Sequence, residues 1–132
     1  MKGWAECKYG IHDLCRTELD SASGLPRFNM PLELGLDLGC KRYGKRYQQA
    51  KVLLILDIEH HRYQRCISDI AGQDVAAHSN RVRDVIDLVR EWLRPELDPQ
   101  VVIIPSGDEI RQRAFHSYSR APAEIRSWTT EL

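Results

Sequence analysis

Three polar residues in the first quarter of the chain have the types and spacing for chemistry on a bound sugar: Asp13, Asn29 and Glu33. Asp13 ends a short segment that predicts a strand, and Asn29 and Glu33 lie at the start of the helix predicted next. Ligands of open α/β sheets bind beyond the carboxyl ends of the strands. The sequence therefore predicts that these three side chains form one cluster at that edge.

Glu33 has two interpretations. A carboxylate at this position is suited to attack an anomeric carbon, as in glycosyl transfer, while Asp13 orients a sugar hydroxyl or acts as the acid. The alternative is an ordinary acidic residue in the first turn of a helix, where the helix dipole favours negative charge. The residues alone leave both open.

A second polar group follows the most apolar segment: Asp57, Glu59, His60 and His61. These residue types could hold a divalent metal ion. Adjacent histidines on a loop more often point apart, however, and no C-x-x-C motif is present. We therefore expect neither a metal nor a cofactor, and we interpret the four cysteines as reduced, mostly buried thiols.

The elements that position these residues alternate between strand and helix. Strands are predicted at 8–14, 52–57 and 74–78, and the 52–57 run is apolar on both faces, as in a covered parallel sheet. A helix over 30–43 is expected to have Asn29 as its N-cap and Gly44 as its C′ residue. Gly35 and Gly39 share one face of that helix, where its backbone could approach a sheet or a ligand.

The rest of the chain is organised by Gly and Pro. Residues 45–51 are basic and polar, which indicates a solvated connection. Ser79 or Asn80 is predicted to cap a strongly amphipathic helix that ends at Pro95. Residues 101–104 form a last strand or an extended arm, and a final helix begins at 105–108. Ala121-Pro122 ends it, and Trp128 is a candidate to dock. This order predicts an α/β fold with a parallel sheet in a domain at 1–97, and an arm with a C-terminal helix at 98–132.

Composition excludes several classes of protein. The chain has 132 residues with 42% apolar and 29% charged residues, which is typical of a globular domain. Nineteen basic residues balance nineteen acidic ones, so binding of nucleic acid through bulk charge is disfavoured. The basic run 41–47 contains two tyrosines that could stack on bases, but a solvated helix end explains it as well. We expect no membrane span and no secretory signal, and hence a cytoplasmic protein.

Three runs carry a resemblance to known families: residues 9–14, 25–35 and 68–74, which read YGIHDL, LPRFNMPLELG and SDIAGQD. They resemble a group of uncharacterised bacterial proteins similar to Toll/interleukin-receptor (TIR) domains. Residues 12–14, 29–39 and 52–57 resemble the core of nucleoside 2-deoxyribosyltransferase-like proteins, which share a flavodoxin-like fold with TIR domains. The resemblance covers roughly residues 6–95. It implies a flavodoxin-like, three-layer sandwich with a parallel sheet.

The resemblance also implies a function. Glu33 matches the catalytic glutamate, and Asp13 matches the aspartate that ends the preceding strand. The implied reaction is cleavage of an N-glycosidic bond in NAD or a deoxynucleoside. Arg16 and Arg27 are then candidates to contact phosphate, although both can be ordinary surface residues, and His12 and Asn29 complete the implied ligand-binding set. A non-catalytic TIR-like module, whose function is assembly in bacterial defence or signalling, is the alternative.

The chain departs from the family pattern at its start. It matches the family only from the end of the N-terminal strand and helix segment, so we expect three of five strands and an incomplete domain. Strand 8–14 would then have an open edge, and exposed strand edges pair with other strands. We therefore expect a homo-oligomer that covers this edge, and catalysis by the isolated chain is in doubt.

Overall fold

The computed structural model describes residues 4–17, 19–65, 67, 70 and 73–120. The three strands and the three longer helices follow the predicted order, the short helix Arg46–Gln49 was not predicted, and short 3₁₀ turns lie at Trp4–Glu6, Arg62–Arg65 and Arg94–Glu96. The elements in chain order are β1 (Tyr9–Asp13), α1 (Asn29–Tyr43), α2 (Arg46–Gln49), β2 (Val52–Asp57), β3 (Val75–Ala77), α3 (Val82–Leu93) and α4 (Gly107–Arg120).

The described strands form one parallel sheet in the order β1-β2-β3. The central strand, β2, is the run that is apolar on both faces, and Leu54, Ile55 and Leu56 are all buried. Asp13 of β1 is in register with Leu56, and Asp57 is in register with Ala77 of β3, so the carboxyl ends of the strands are aligned. The prediction of an α/β chain with a parallel sheet is confirmed.

Helix α1 packs against one face of this sheet, and the main core lies between them. Leu34 is 1% exposed and lies in a cluster with Leu14 and Ile55, against which Met30 and Leu38 also pack. The predicted helix, 30–43, matches α1 to within one residue, but the way its two ends are capped differs from the prediction. Phe28 is the N-cap and has a helical backbone, so Asn29 is already inside the helix, and no side chain caps the first turn. Gly44 ends the helix with extended backbone, not in the left-handed conformation.

The outer face of α1 is apolar and open. A Cβ at Gly35 or Gly39 would contact no described atom within 4 Å, so the predicted close approach of the backbone to a sheet is wrong for this part of the chain. Leu32 is 63% exposed and Leu36 is 45% exposed beside them. An amphipathic surface helix normally turns polar residues outward, and this helix does not.

The connection from α1 to β2 also differs from its prediction. The segment 45–51 contains the short helix α2, and Lys51 is only 2% exposed rather than solvated. After β3, Ser79 and Asn80 have positive φ angles of 51° and 55°, which turns the chain sharply before α3 begins at Val82.

The chain divides into two compact units, Met1–Leu88 and Val89–Leu132. In the second unit, residues 101–104 form no strand. Helix α4 is capped by Ser106 and Glu109, whose side chains accept each other's backbone N–H. The predicted break at Pro122 and the docking of Trp128 lie outside the described residues.

Two further sequence expectations bear on chemistry. No helix in the described part of the chain combines the length and the apolar character that crossing a bilayer requires. The prediction that the cysteines are mostly buried is wrong for the three that the structure describes, since Cys7 is exposed and Cys15 and Cys40 are half-buried. Cys66 lies outside the described residues.

Candidate functional site

The carboxyl edge of the sheet collects polar side chains from all three strands. Asp13 ends β1, Asp57 ends β2, and His78 directly follows β3. The backbone N–H of His78 donates to Asp57 O at 3.0 Å, which extends the β2–β3 pairing by one residue. This is the edge at which parallel α/β sheets bind their ligands.

Asp13 is held in place but remains accessible. Its Oδ1 accepts the backbone N–H of Cys15 at 2.9 Å and lies 3.3 Å from His78 Nε2. The Asp13 side chain is 35% exposed, whereas the His78 side chain is 3% exposed. The carboxylate therefore has a fixed orientation and one open side, as a group that contacts a ligand requires.

Cys15 lies beside this carboxylate and is held as a neutral thiol. Burial, a hydrogen bond to Asp13 and the negative charge of Asp13 raise the pKa of Cys15 from 9.0 to about 11. Because the thiolate is the nucleophilic form, Cys15 is a poor nucleophile at neutral pH.

Asp57 has a structural role at the same edge. Its side chain is fully buried, and Oδ1 accepts the N–H of Ile58 at 2.8 Å and the Nε–H of Arg62 at 2.8 Å. Arg62 Nη2 also donates to Leu14 O at 2.8 Å. Arg62 thereby connects the end of β1 to the end of β2, and Asp57 Oδ1 is occupied by these contacts, while Asp57 Oδ2 has no hydrogen-bond partner within the described residues.

The histidine run after β2 does not form a metal site with Asp57. Glu59, His60 and His61 are exposed and line an open depression of about 360 Å³, in which neither Asp13 nor Glu33 takes part. Within the described residues, the metal-ligating group that does converge consists of Asp13, Cys15 and His78.

Sequence analysis missed a buried charged group inside the sheet–helix interface. Asp37 of α1 lies 3.0 Å from both Lys51 Nζ and His12 Nε2, and Lys51 also donates to Cys7 O at 2.7 Å. His12, Asp37 and Lys51 are 3%, 7% and 2% exposed. One signal was available: Asp37 follows Leu34 by three residues, which puts a charge on the buried face of the helix.

This buried group changes the interpretation of His12. We expected His12 to contact a ligand, but its imidazole is enclosed and hydrogen-bonded to Asp37. A Cβ added to Gly10 would lie 2.7 Å from Asp37 Oδ2, so Gly10 and His12 both face α1. Alternation along the strand directs Ile11 and Asp13 to the opposite face. These positions favour a structural role for His12.

The predicted cluster of Asp13, Asn29 and Glu33 is not joined by contacts. Glu33 is half-buried and has no hydrogen bond or ion pair within the described residues, and Asn29 is exposed in the first turn of α1. Glu33 immediately precedes Leu34, which packs against Leu14, the residue after Asp13. Asp13, by contrast, points to the face of the sheet opposite α1, so the structure does not bring the Asp13 and Glu33 carboxylates together.

The two candidate phosphate-binding arginines are exposed and lie on the loop between β1 and α1. The Arg27 side chain is 64% exposed and lies 3.7 Å from Asp20. Asp20 organises this loop by accepting the N–H groups of Ala22 and Ser23, and the bonds from Ser23 lower the pKa of Asp20. Arg16 is also exposed, so both guanidinium groups are accessible to a phosphate.

Comparison with known proteins identified no relative of this chain. Scans against protein-family models, curated proteins and solved structures each found no match. The function must therefore be argued from the site alone.

Proposed function

We propose that the chain binds a nucleoside or nucleotide at the carboxyl edge of the sheet and cleaves its N-glycosidic bond. The observation that carries the proposal is the half-exposed Asp13 carboxylate, held by the Cys15 N–H and His78 at the end of a parallel strand. The parallel β1-β2-β3 order, with helices in the β1–β2 connection, is compatible with the flavodoxin-like arrangement that the sequence resembles.

In this proposal Glu33 attacks the anomeric carbon of the sugar. The bond from a Glu33 carboxylate oxygen to that carbon forms as the bond to the base nitrogen breaks. The base of a deoxynucleoside takes up a proton from solvent as it leaves, whereas the nicotinamide of NAD is cationic when bound and leaves as a neutral molecule without one. Water then displaces Glu33 and releases the sugar. Asp13 orients a sugar hydroxyl, while Arg16 and Arg27 contact a phosphate when the ligand has one.

The test measures release of free base by chromatography from NAD and from the four common deoxynucleosides. Glu33→Gln keeps the size of the side chain and removes its charge, and Asp13→Asn does the same at the strand end. Glu91→Gln is the matched control, because Glu91 is an exposed glutamate on α3. We expect turnover by the wild type and by Glu91→Gln, and its loss in Glu33→Gln.

A second candidate function, assembly without catalysis, is favoured by the free edge of β1. Within the described residues β1 pairs with β2 alone. The bonds Leu14 N–H to Leu56 O and Val52 N–H to Lys8 O show that even-numbered residues face β2. Odd-numbered residues, Ile11 among them, then direct their backbone groups to the free edge. We propose that a second copy of the chain pairs there.

Pairing of a second copy at the free edge of β1 can be tested without disturbing the hydrogen bonds between β1 and β2. Ile11→Pro removes the free-edge N–H, whereas Ile11→Ala removes the same side chain and keeps that donor. Light scattering after size exclusion is expected to show a dimer for the wild type and Ile11→Ala, and a monomer for Ile11→Pro. Calorimetric binding of a nucleotide without turnover would favour this module over the enzyme. A folded wild-type monomer would exclude pairing at this edge.

A further inference from the structure

His78 is a buried imidazole with unusual surroundings. It is 2% exposed, and its Nδ1 has no hydrogen-bond partner within the described residues. The other ring nitrogen, Nε2, lies 3.3 Å from Asp13 Oδ1, so Nε2 is the nitrogen that could bind an ion shared with Asp13. Backbone pairing with Asp57 O fixes His78, and the two left-handed residues that follow turn the chain away.

Two further ligand types lie beside this imidazole. Asp13 and Cys15 are two residues apart at the end of β1, and the Cys15 N–H donates to Asp13 Oδ1 at 2.9 Å. One potential ligand atom from each of Asp13, Cys15 and His78 lies within 4.8 Å of the other two. The three potential ligands therefore lie at the ends of both outer strands of the described sheet, Asp13 and Cys15 at the end of β1 and His78 after β3.

The distance between the two closest ligand atoms is informative. His78 Nε2 and Asp13 Oδ1 are 3.3 Å apart. A strong hydrogen bond between an imidazolium and a carboxylate is about 2.7–2.9 Å long. Two ligands at about 2.1 Å from a tetrahedral Zn²⁺ ion lie roughly 3.4 Å apart. The observed spacing matches shared coordination better than a strong direct bond.

We propose that Asp13, Cys15 and His78 form a Zn²⁺ site. The thiolate, imidazole and carboxylate provide three of the four tetrahedral ligands, and a water molecule provides the fourth, since Asp13 opens to solvent. On binding, the Cys15 thiol releases its proton to solvent. A sulfur and a nitrogen ligand favour zinc over Mg²⁺ or Ca²⁺, which require oxygen ligands. This proposal does not rest on cleavage of a glycosidic bond.

The competing explanation is a direct structural contact between His78 and Asp13 that needs no ion. That contact predicts no selective metal binding and no role for the Cys15 sulfur. Zinc binding predicts both. The two explanations therefore differ in a property that can be measured without any nucleotide.

The experiment titrates metal-free, full-length chain with Co²⁺ as a spectroscopic substitute for Zn²⁺. The wild type is expected to bind one equivalent, with the intense visible bands of a tetrahedral site and a near-ultraviolet band from a cobalt–thiolate bond. Zn²⁺ should displace the Co²⁺ and bleach both. Cys15→Ser should remove the thiolate band, and His78→Ala should weaken binding by more than the roughly 10–100-fold that loss of an outer partner costs.

Three matched controls locate the site. Cys7→Ser removes an exposed thiol, His116→Ala removes an exposed imidazole, and the double variant His60→Ala/His61→Ala removes the exposed histidine pair. All should bind Co²⁺ as the wild type does. Circular dichroism shows whether His78→Ala folds. If it does not, Co²⁺ binding by Asp13→Asn and Cys15→Ser tests the proposal instead, since both variants keep the shape of the side chain. Wild-type binding that is absent, or unchanged in both variants, would overturn the proposal.

Discussion

Replacement of Asp37 by Asn tests whether the buried charges of the sheet–helix interface are a structural requirement. Asp37 is 7% exposed and lies 3.0 Å from the ammonium of Lys51, which is 2% exposed. The variant leaves that ammonium buried with Cys7 O and a neutral amide as partners. Breaking one partner of a buried ion pair costs about 3–5 kcal/mol in the free energy of unfolding.

This loss of free energy of unfolding predicts a large decrease in the melting temperature, Tm. The unit that contains the ion pair spans Met1–Leu88. For a unit of this size each kcal/mol lowers Tm by about 4–8 °C, so Asp37→Asn should lower it by at least roughly 12 °C. Calorimetry gives the transition, and amide exchange on peptides from β1 and β2 shows whether the loss is local to the sheet.

Two comparisons make the result specific. Asp84→Asn removes the same charge from the exposed pair with Arg81, where we expect a change of about 0–1 kcal/mol. The double variant Asp37→Leu/Lys51→Met replaces both charges by apolar groups and should recover most of the loss. If Asp37→Asn is as stable as Asp84→Asn, the reasoning from buried charge is wrong.

Three further predictions follow from local geometry. In the metal-free chain, Cys15 should react with iodoacetamide at pH 8 about 100-fold more slowly than free cysteine, and its rate should rise between pH 9 and 11, because its pKa is raised to about 11; a rate like that of free cysteine contradicts this. Gly10→Ala should destabilise the chain by about 1–3 kcal/mol in urea, since the new Cβ would lie 2.7 Å from the Asp37 carboxylate, and an unchanged midpoint would show that the interface relaxes. Hydrogen bonds from Ser106 lower the pKa of Glu109 below its ordinary 4.5, so the cap of α4 stabilises above that pH and is lost as the pH falls below it. Carbon chemical shifts of α4 should therefore lose helical character in acid, and Glu109→Gln should remove this pH dependence, whereas Ser106→Ala should only reduce it, because the backbone N–H of residue 106 still donates to Glu109.

Elements with strong local signals were predictable from the sequence. The run 52–57 matches β2 at both ends, and the helices that begin at Val82 and Gly107 follow from apolar periodicity and capping residues. The bounds of α1 were also predictable to within one residue, since 30–43 is predicted and Asn29–Tyr43 is observed, but its N-cap was not, because Phe28 rather than Asn29 occupies that position.

Contacts between distant residues were the part that sequence analysis could not supply. Lys51 appeared to belong to a solvated basic segment, and only its contact with Asp37 of α1 explains its burial. His78 appeared isolated in sequence, yet it lies beside Asp13 from 65 residues away. The first pair depends on how α1 packs against the sheet and the second on how the strands pair, and no local pattern encodes either. Asp13 at a strand end was predictable, since its position follows from the strand itself.

The most direct test of the account is release of free base from NAD and from deoxynucleosides by the purified chain. The account predicts measurable release by the wild type and by Glu91→Gln, and a decrease of at least about a thousandfold in Glu33→Gln. No release by the wild type from any of these compounds, or equal rates for the two glutamate variants, would contradict it.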